Sequence, residues 1–270
     1  MSNRMKDFSW VGSQANFIDK PNILQLNQIV VGRYGGNSDA GQYKNEDGCL
    51  VWVNEKEDWE FTILLDAHSS SESAEIILEL FAKESSQLRH LFSLQTTQQT
   101  FKRVEEKILT MFQSKEFIRD CQNCKGETAC LIVLRKDKYV WWFSVGDCVI
   151  YLFHEELATL GQYQLNQRQF YQWIGKVNTF EKDVPCYSVG IKELRKGENR
   201  IFLTTDGLIE CPNEPYSNPI NIYKSFITSQ KDDSIIKLML KNIIHNNVRD
   251  STTIVSWKVN ILKEATRPSD

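Results

Sequence analysis

The chain has no apolar run approaching the roughly 20 residues that a membrane-crossing helix needs. It has no stretch where lysine and arginine gather with interleaved aromatics, and only four histidines among 270 residues. The first absence argues against helical membrane insertion. The second, with a formal charge of −3, argues against a polyanion-binding surface, so neither membrane nor nucleic acid is expected as a partner. The third disfavours zinc chemistry, which relies on imidazole and thiolate ligands. "MSNRMKDFSWVGSQANF" contains no apolar leader with a small-residue cleavage site, so a cytoplasmic protein is expected. No internal repeat, low-complexity tract or heptad is evident, and nothing in the sequence sets an oligomeric state.

What is present suits a folded chain. A hydrophobic fraction of 41% is enough to bury a substantial core, in one large domain or two small ones. The seven cysteines are odd in number, and Cys49, Cys130 and Cys148 fall inside apolar strand-like runs, which suits reduced buried thiols. "CQNC", at Cys121 and Cys124, lacks the second pair a zinc site would need.

Helical periodicity marks "ESAEIILELFAKESSQLRHLF" and "FKRVEEKILTMF", which read as an antiparallel pair, and a C-terminal stripe of Ile236, Met239, Leu240 and Ile243 capped by Asp232 and Asp233. "CLVWVN", "FTILLDA", "TACLIVLRK", "YVWWFSVGD", "CVIYLFH", "RIFLTTDG" and "TTIVSWKV" read as strands, with "RKDK" (135–138) as a hairpin turn. Strands in succession with grouped helices predict antiparallel sheets covered by helices. The aromatic segment around Phe170, Tyr171 and Trp173 is expected to form an amphipathic helix docked on a sheet. The tail from 261 to 270 is expected to fray.

Carboxylates recur at strand ends: Asp66 in "ILLDAH", Asp147 in "FSVGDC", Asp206 and Glu210 in "IFLTTDGLIE", Asp250 in "VRDSTT", and Glu46 with Asp47 in "KNEDGC". Taken singly, each is ordinary turn or capping chemistry. Asp66 and Asp206, however, follow strongly apolar strands, where a carboxylate is tolerated only when paired or ligating a cation. An oxygen-rich, imidazole-poor set suits hard ions such as Mg²⁺ or Mn²⁺.

The order of these stretches carries a resemblance. "NEDG" (45–48), "DAHSS" (66–70), "GETA" (126–129), "GDCV" (146–149), "DGLIE" (206–210) and "DSTT" (250–253) resemble, in sequence order, the six motifs of the metal-dependent serine/threonine protein phosphatases of type 2C, the PPM family. The resemblance spans about residues 8 to 260 and implies one domain over 1–270 with an α-β-β-α four-layer sandwich, an α+β fold. It implies two divalent ions, Mn²⁺ or Mg²⁺, with Asp66 bridging them and Asp206 and Asp250 on the first. Glu46 and the carbonyl of Ala67 would face the second, with Asp47 supporting nearby, and Asp147 and Glu210 match a weaker third site. The implied reaction is hydrolysis of phosphoserine or phosphothreonine in a phosphorylated protein by a metal-activated water, with His68 as general acid.

The match is imperfect at the substrate grip. The family's phosphate-binding arginine is Gln42 here, leaving Lys44 or Arg33 as nearby cations and Arg168 as a residue that could meet a phosphopeptide. Val149, Ser251, Ser69 and Ser70 stand where the motifs carry arginine, asparagine and two glycines. Two further readings therefore accompany the first: a phosphatase of small phosphoesters, and a slow, metal-stabilised module that binds a phosphorylated partner.

Overall fold

The computed structural model describes residues 5–227 and 231–265. Two antiparallel sheets lie face to face. One runs in the order β1 (Met5–Val11), β4 (Gly48–Asn54), β5 (Trp59–His68), β6 (Glu127–Lys136), β7 (Tyr139–Val145) and β10 (Ser188–Glu193), with the two-residue β9 (Ile174–Gly175) also paired to β6. The other runs β2 (Asn22–Leu26), β3 (Ile29–Tyr34), β12 (Thr252–Ile261), β11 (Gly197–Thr204) and β8 (Val149–Phe153).

The continuous apolarity of the central strands follows from burial on both faces. Side chains alternate across a strand, so Cys49, Val51 and Val53 of β4 face the second sheet, where they pack with Ile150, Leu203, Val255 and Trp257. Leu50 and Trp52 point the other way, into a layer built by α1 (Glu72–Lys83), α2 (Ser85–Ser93), α3 (Gln98–Phe112) and α4 (Lys115–Asn123). On the far side, α7 (Pro219–Ile227) and α8 (Asp232–His245) cover Val30, Tyr151, Phe202 and Ile254. The four layers are helix, sheet, sheet, helix. Two shorter helices, α5 (Glu155–Thr159) and α6 (Asp206–Ile209), follow strand ends.

Several sequence expectations are refined. The first periodic stretch is broken at Glu84 (φ −92°, ψ 5°) into α1 and α2. Asp232 does not cap α8, whose N-cap is Lys231; its carboxylate pairs with Arg200. The hairpin at "RKDK" forms, with Asp137 at φ 53° between paired Lys136 and Tyr139. The expected helix through Phe170, Tyr171 and Trp173 does not form. Its aromatics fall at neighbouring positions that make no stripe, Tyr171 sits at φ 64°, and its amides bond outward, Gln169 N to Gly146 O at 2.8 Å and Lys176 N to Gly126 O at 2.9 Å. Phe170 and Tyr171 are exposed. In the tail, Ile261 closes β12 and Ala265 is buried, while 266–270 lie outside the described residues. All seven cysteines are free, and burial pushes the Cys121 and Cys124 thiols up.

Candidate active site

The acidic strand ends meet at one end of the sandwich because the two sheets bring their motif loops to the same side. Asp66 lies near the end of β5, paired in the ladder with Ala129 of "GETA", and Ala67 pairs with Thr128. From the opposite sheet, Asp206 opens α6 just after β11, and its backbone N–H donates to Asp66 Oδ2 at 3.4 Å. Two motif glycines permit this closeness. A Cβ on Gly126 (φ 82°) would lie 2.0 Å from the His68 carbonyl oxygen, and one on Gly207 would lie 2.2 Å from that of Ser251. Only glycine fits at either point.

The electrostatics show how crowded the carboxylates are. Burial raises the Asp66 carboxyl well above its ordinary range, and the charges of Asp206, Asp47, Asp250 and Asp147 add to it. Burial, then Asp250, Asp147 and Glu210, push Asp206 up to about 8. Asp250 is exposed, yet the protein packed around it still raises its carboxyl, assisted by Glu46 and Glu210 and opposed by the Ser251 amide and His68. The Oδ1 atoms of Asp206 and Asp147 are buried without a hydrogen-bond partner among the described residues. Buried, mutually repelling carboxylates with orphaned oxygens are what a hard cation would relieve. As they stand, no three His, Cys, Asp or Glu side chains among the described residues are spaced to hold one ion.

Asp47 takes a different place from its neighbours. It is fully buried, with Ser251 Oγ donating to its Oδ1 at 2.8 Å and Thr253 Oγ1 and Thr205 Oγ1 donating to its Oδ2 at 2.6 and 3.4 Å. Both oxygens are taken by hydroxyls, so Asp47 braces the loops carrying Asp206 and Asp250. Desolvation still holds its carboxyl up at about 7, against those hydrogen bonds. Thr205 and Thr253 were not singled out from the sequence, and Ser251 was marked only as a departure from its motif; their signal is the hydroxyl runs "TTD" and "DSTT" flanking two strand-end aspartates.

The cations are arranged as follows. Lys44 Nζ reaches Glu46 Oε1 at 2.6 Å and the Ser69 carbonyl at 2.7 Å. Arg168 enters from the segment after β8: its Nη2 bonds Glu210 and lies 3.5 Å from Asp147 Oδ2 and 3.9 Å from Asp206 Oδ2, with its guanidinium 4.6 Å over the Phe170 ring. A guanidinium thus occupies the Asp147 and Glu210 end of the cluster. Arg33 is turned away from the site, caged by Phe8, Trp10 and Phe17 at 5.1, 4.9 and 4.6 Å. Gln42 is buried. A cleft of about 510 Å³ lies beside the cluster, with Gln42, Lys44, Glu46, Glu210 and Asp250 among its walls.

The turn after Asp66 carries strain. Ser69 holds φ 72°, a left-handed conformation that costs a residue with a Cβ about 1 kcal/mol or more. Ser71, at the N-cap of α1, makes no side-chain cap bond, and Ser70 Oγ accepts from Glu72 N at 3.2 Å. His68 is half-buried at the end of β5. His154 is structural, capping α5 through its Nδ1. Val149 is buried against the helical layer over the second sheet.

The raised carboxyls set a sign for pH. A carboxyl whose folded-state pKa lies above its ordinary value holds its proton more tightly when folded, so its stabilising contribution is complete below the ordinary range and is lost as pH rises through the folded value. With Asp47 near 7 and Asp206 near 8, chelator-treated protein is expected to melt at progressively lower temperature between about pH 4 and about pH 8. Added Mg²⁺ or Mn²⁺ should restore most of the loss at the alkaline end. A melting temperature flat across that window, with and without the ions, would contradict the charge crowding.

No protein-family model matches the chain, and no curated protein matches it by sequence. Solved structures do match. A bacterial serine phosphatase superposes with a TM-score of 0.61 at 13% identity, over 97% of this chain and 100% of that one. The serine/threonine phosphatase Stp1 from Staphylococcus aureus gives 0.59 at 12% identity, over 96% of each. RsbX in complex with magnesium gives 0.57 at 15% identity, over 88% of this chain and 100% of that one. The chain has the fold of these phosphatases.

Proposed function

We propose that the protein is a single-domain, metal-dependent phosphatase of phosphoserine and phosphothreonine in proteins. The observation that carries this reading is the meeting of Asp66 and Asp206 from opposite sheets as buried, charge-raised carboxylates with an unpartnered oxygen. The donor chemistry fits hard divalent ions, Mn²⁺ or Mg²⁺, with Asp66, Asp206 and Asp250 as the principal holders and Glu46 and the Ala67 carbonyl toward a second ion. Such a pair supplies a water activated for attack on phosphorus and charge neutralisation at the phosphoryl oxygens.

The chain's own residues do the rest. Asp47 fixes the loops that carry Asp206 and Asp250 through its three hydroxyl partners. His68 stands two residues beyond Asp66, close enough to Asp250 to lower its carboxyl, and in this reading protonates the departing alkoxide. Lys44 holds Glu46 and the strained turn at Ser69 together. Arg168 neutralises Asp147, Asp206 and Glu210, so a third ion at Asp147 and Glu210 would have to displace it. In this reading Arg168 acts on the acidic cluster rather than on the substrate phosphate.

Phosphate release from a phosphoserine peptide and from p-nitrophenyl phosphate, each with Mn²⁺, Mg²⁺ or chelator, tests the proposal. Ion-dependent release from both is expected. Release from the small ester alone would turn the reading toward small phosphoesters, and no release from either would leave a binding module.

A further inference from the structure

This inference rests on the phosphatase reading and concerns how the substrate is held. The cleft beside the acidic cluster is lined by three carboxylates, Glu46, Glu210 and Asp250, and by two cations, Lys44 and Arg249. With divalent ions bound, Glu46 and Asp250 would be engaged by them, and a phosphoryl dianion entering the cleft gains further from a protein cation not already spent on the carboxylates. Lys44 is engaged by Glu46 and by the Ser69 carbonyl. Arg168 is engaged by Glu210, Asp147 and Asp206. The Arg249 side chain is exposed and makes no hydrogen bond or ion pair with any described residue.

The residues just before it are nonetheless held. Asn37 N donates to Val248 O at 3.1 Å and Asn37 Nδ2 to Asn247 Oδ1 at 3.2 Å. A Cβ on Gly36 would lie 2.1 Å from Arg249 O and 2.7 Å from Gln42 Cγ, so Arg249 springs from backbone pressed against the same glycine as Gln42. The Gln42 amide is neutral and buried. A side chain free at its tip, fixed at its base and lining an acidic cleft suits the capture of an anion. The guanidinium fork matches two phosphoryl oxygens at once.

We infer that Arg249 grips the phosphoryl group of the substrate at the open side of the cleft. Its contribution is to substrate affinity, since it makes its bonds before any bond to phosphorus breaks, and uniform binding of this kind acts on KM.

The test compares full-length wild type with Arg249→Ala and Arg249→Lys, all carrying Mn²⁺. In Arg249→Ala, KM for both the phosphopeptide and p-nitrophenyl phosphate should rise about tenfold, the loss of one charge-assisted bond, with kcat changing far less. Inhibition by inorganic phosphate should weaken by a similar factor. So should its calorimetric affinity, which requires no turnover. Arg249→Lys should recover part of each, as a point charge without the fork. Melting temperatures should match wild type, because the side chain has no partner in the fold.

Unchanged phosphate affinity and KM in the folded alanine variant would overturn the inference, as would a loss confined to kcat. A rise in KM for the peptide alone would also overturn it, by moving Arg249 onto the peptide chain. Absence of turnover in the wild type would fail the phosphatase reading instead, while phosphate calorimetry would still decide whether Arg249 binds the anion.

Discussion

Asp66→Asn should abolish ion-dependent phosphate release and, in the same preparation, raise the melting temperature of the metal-free protein. The two effects share one cause. Asp66 is 2% exposed, its carboxyl is raised by burial and by four neighbouring aspartates, and its Oδ2 accepts from the Asp206 amide at 3.4 Å. Asparagine has nearly the same shape and keeps an oxygen to accept that bond, while removing a charge that the metal-free fold holds at a cost. Stability should rise by about 1 kcal/mol or more, or about 2–4 °C for a chain of this size. Activity should fall by more than about a hundredfold, because even outlying partners of a metal are worth 10–100-fold. Differential scanning calorimetry in chelator, beside the phosphopeptide assay in Mn²⁺, checks both halves. A variant that melts lower, or that keeps more than a tenth of its turnover, would show that Asp66 is structural.

His68→Ala should separate substrates by their leaving groups. A serine alkoxide is a strong base and cannot depart without a proton, whereas p-nitrophenolate leaves unaided. If His68 supplies that proton, its loss slows the phosphoserine peptide by about 10²–10⁴-fold, the usual reach of general acid catalysis, and the aryl ester within about tenfold. The position supports the role: His68 ends β5 two residues after Asp66, and its charge lowers the Asp250 carboxyl. Packing does not account for the histidine as fully, since it is half-buried where its strand neighbours are buried. Equal slowing of both substrates would remove His68 from proton transfer and leave it a positioning residue. The alanine variant should melt close to wild type, which keeps a folding defect from imitating either outcome.

The strands between two covered faces were legible in the sequence because burial on both sides leaves little but apolar residues, as in "CLVWVN" and "TACLIVLRK". The edge strands were not. β1 "MKDFSWV" and β2 "NILQL" carry exposed or half-exposed side chains, and β10 "SVGIKE" is partly exposed throughout. β3 "IVVGRY" is buried but interrupted by Gly32, which leaves room for α8: a Cβ there would lie 2.4 Å from Ile236 Cγ2. The aromatic segment around Phe170 misled because its composition suits a buried face, while its amides find their partners on turns that flank other strands.

At the site, Asp66 and Asp206 stood out in the sequence because a carboxylate after a strongly apolar strand is anomalous wherever the chain goes next, while Asp250, Glu46 and His68 were reached through the motif resemblance. Which of the charges oppose each other was beyond sequence reasoning. That Arg168 settles among Asp147, Asp206 and Glu210, that Arg33 is caged by three rings, and that Asp47 turns to three hydroxyls are outcomes of how the sheets stack. Electrostatic energy depends on separation in space and on exclusion of water, and neither is written along the chain. By itself the sequence determined the apolar strands, the order of the acidic motifs and the poverty in imidazole. Only the packed sandwich decided which cations are spent on those acids and that, among the described residues lining the cleft, Arg249 is the cation left without a partner.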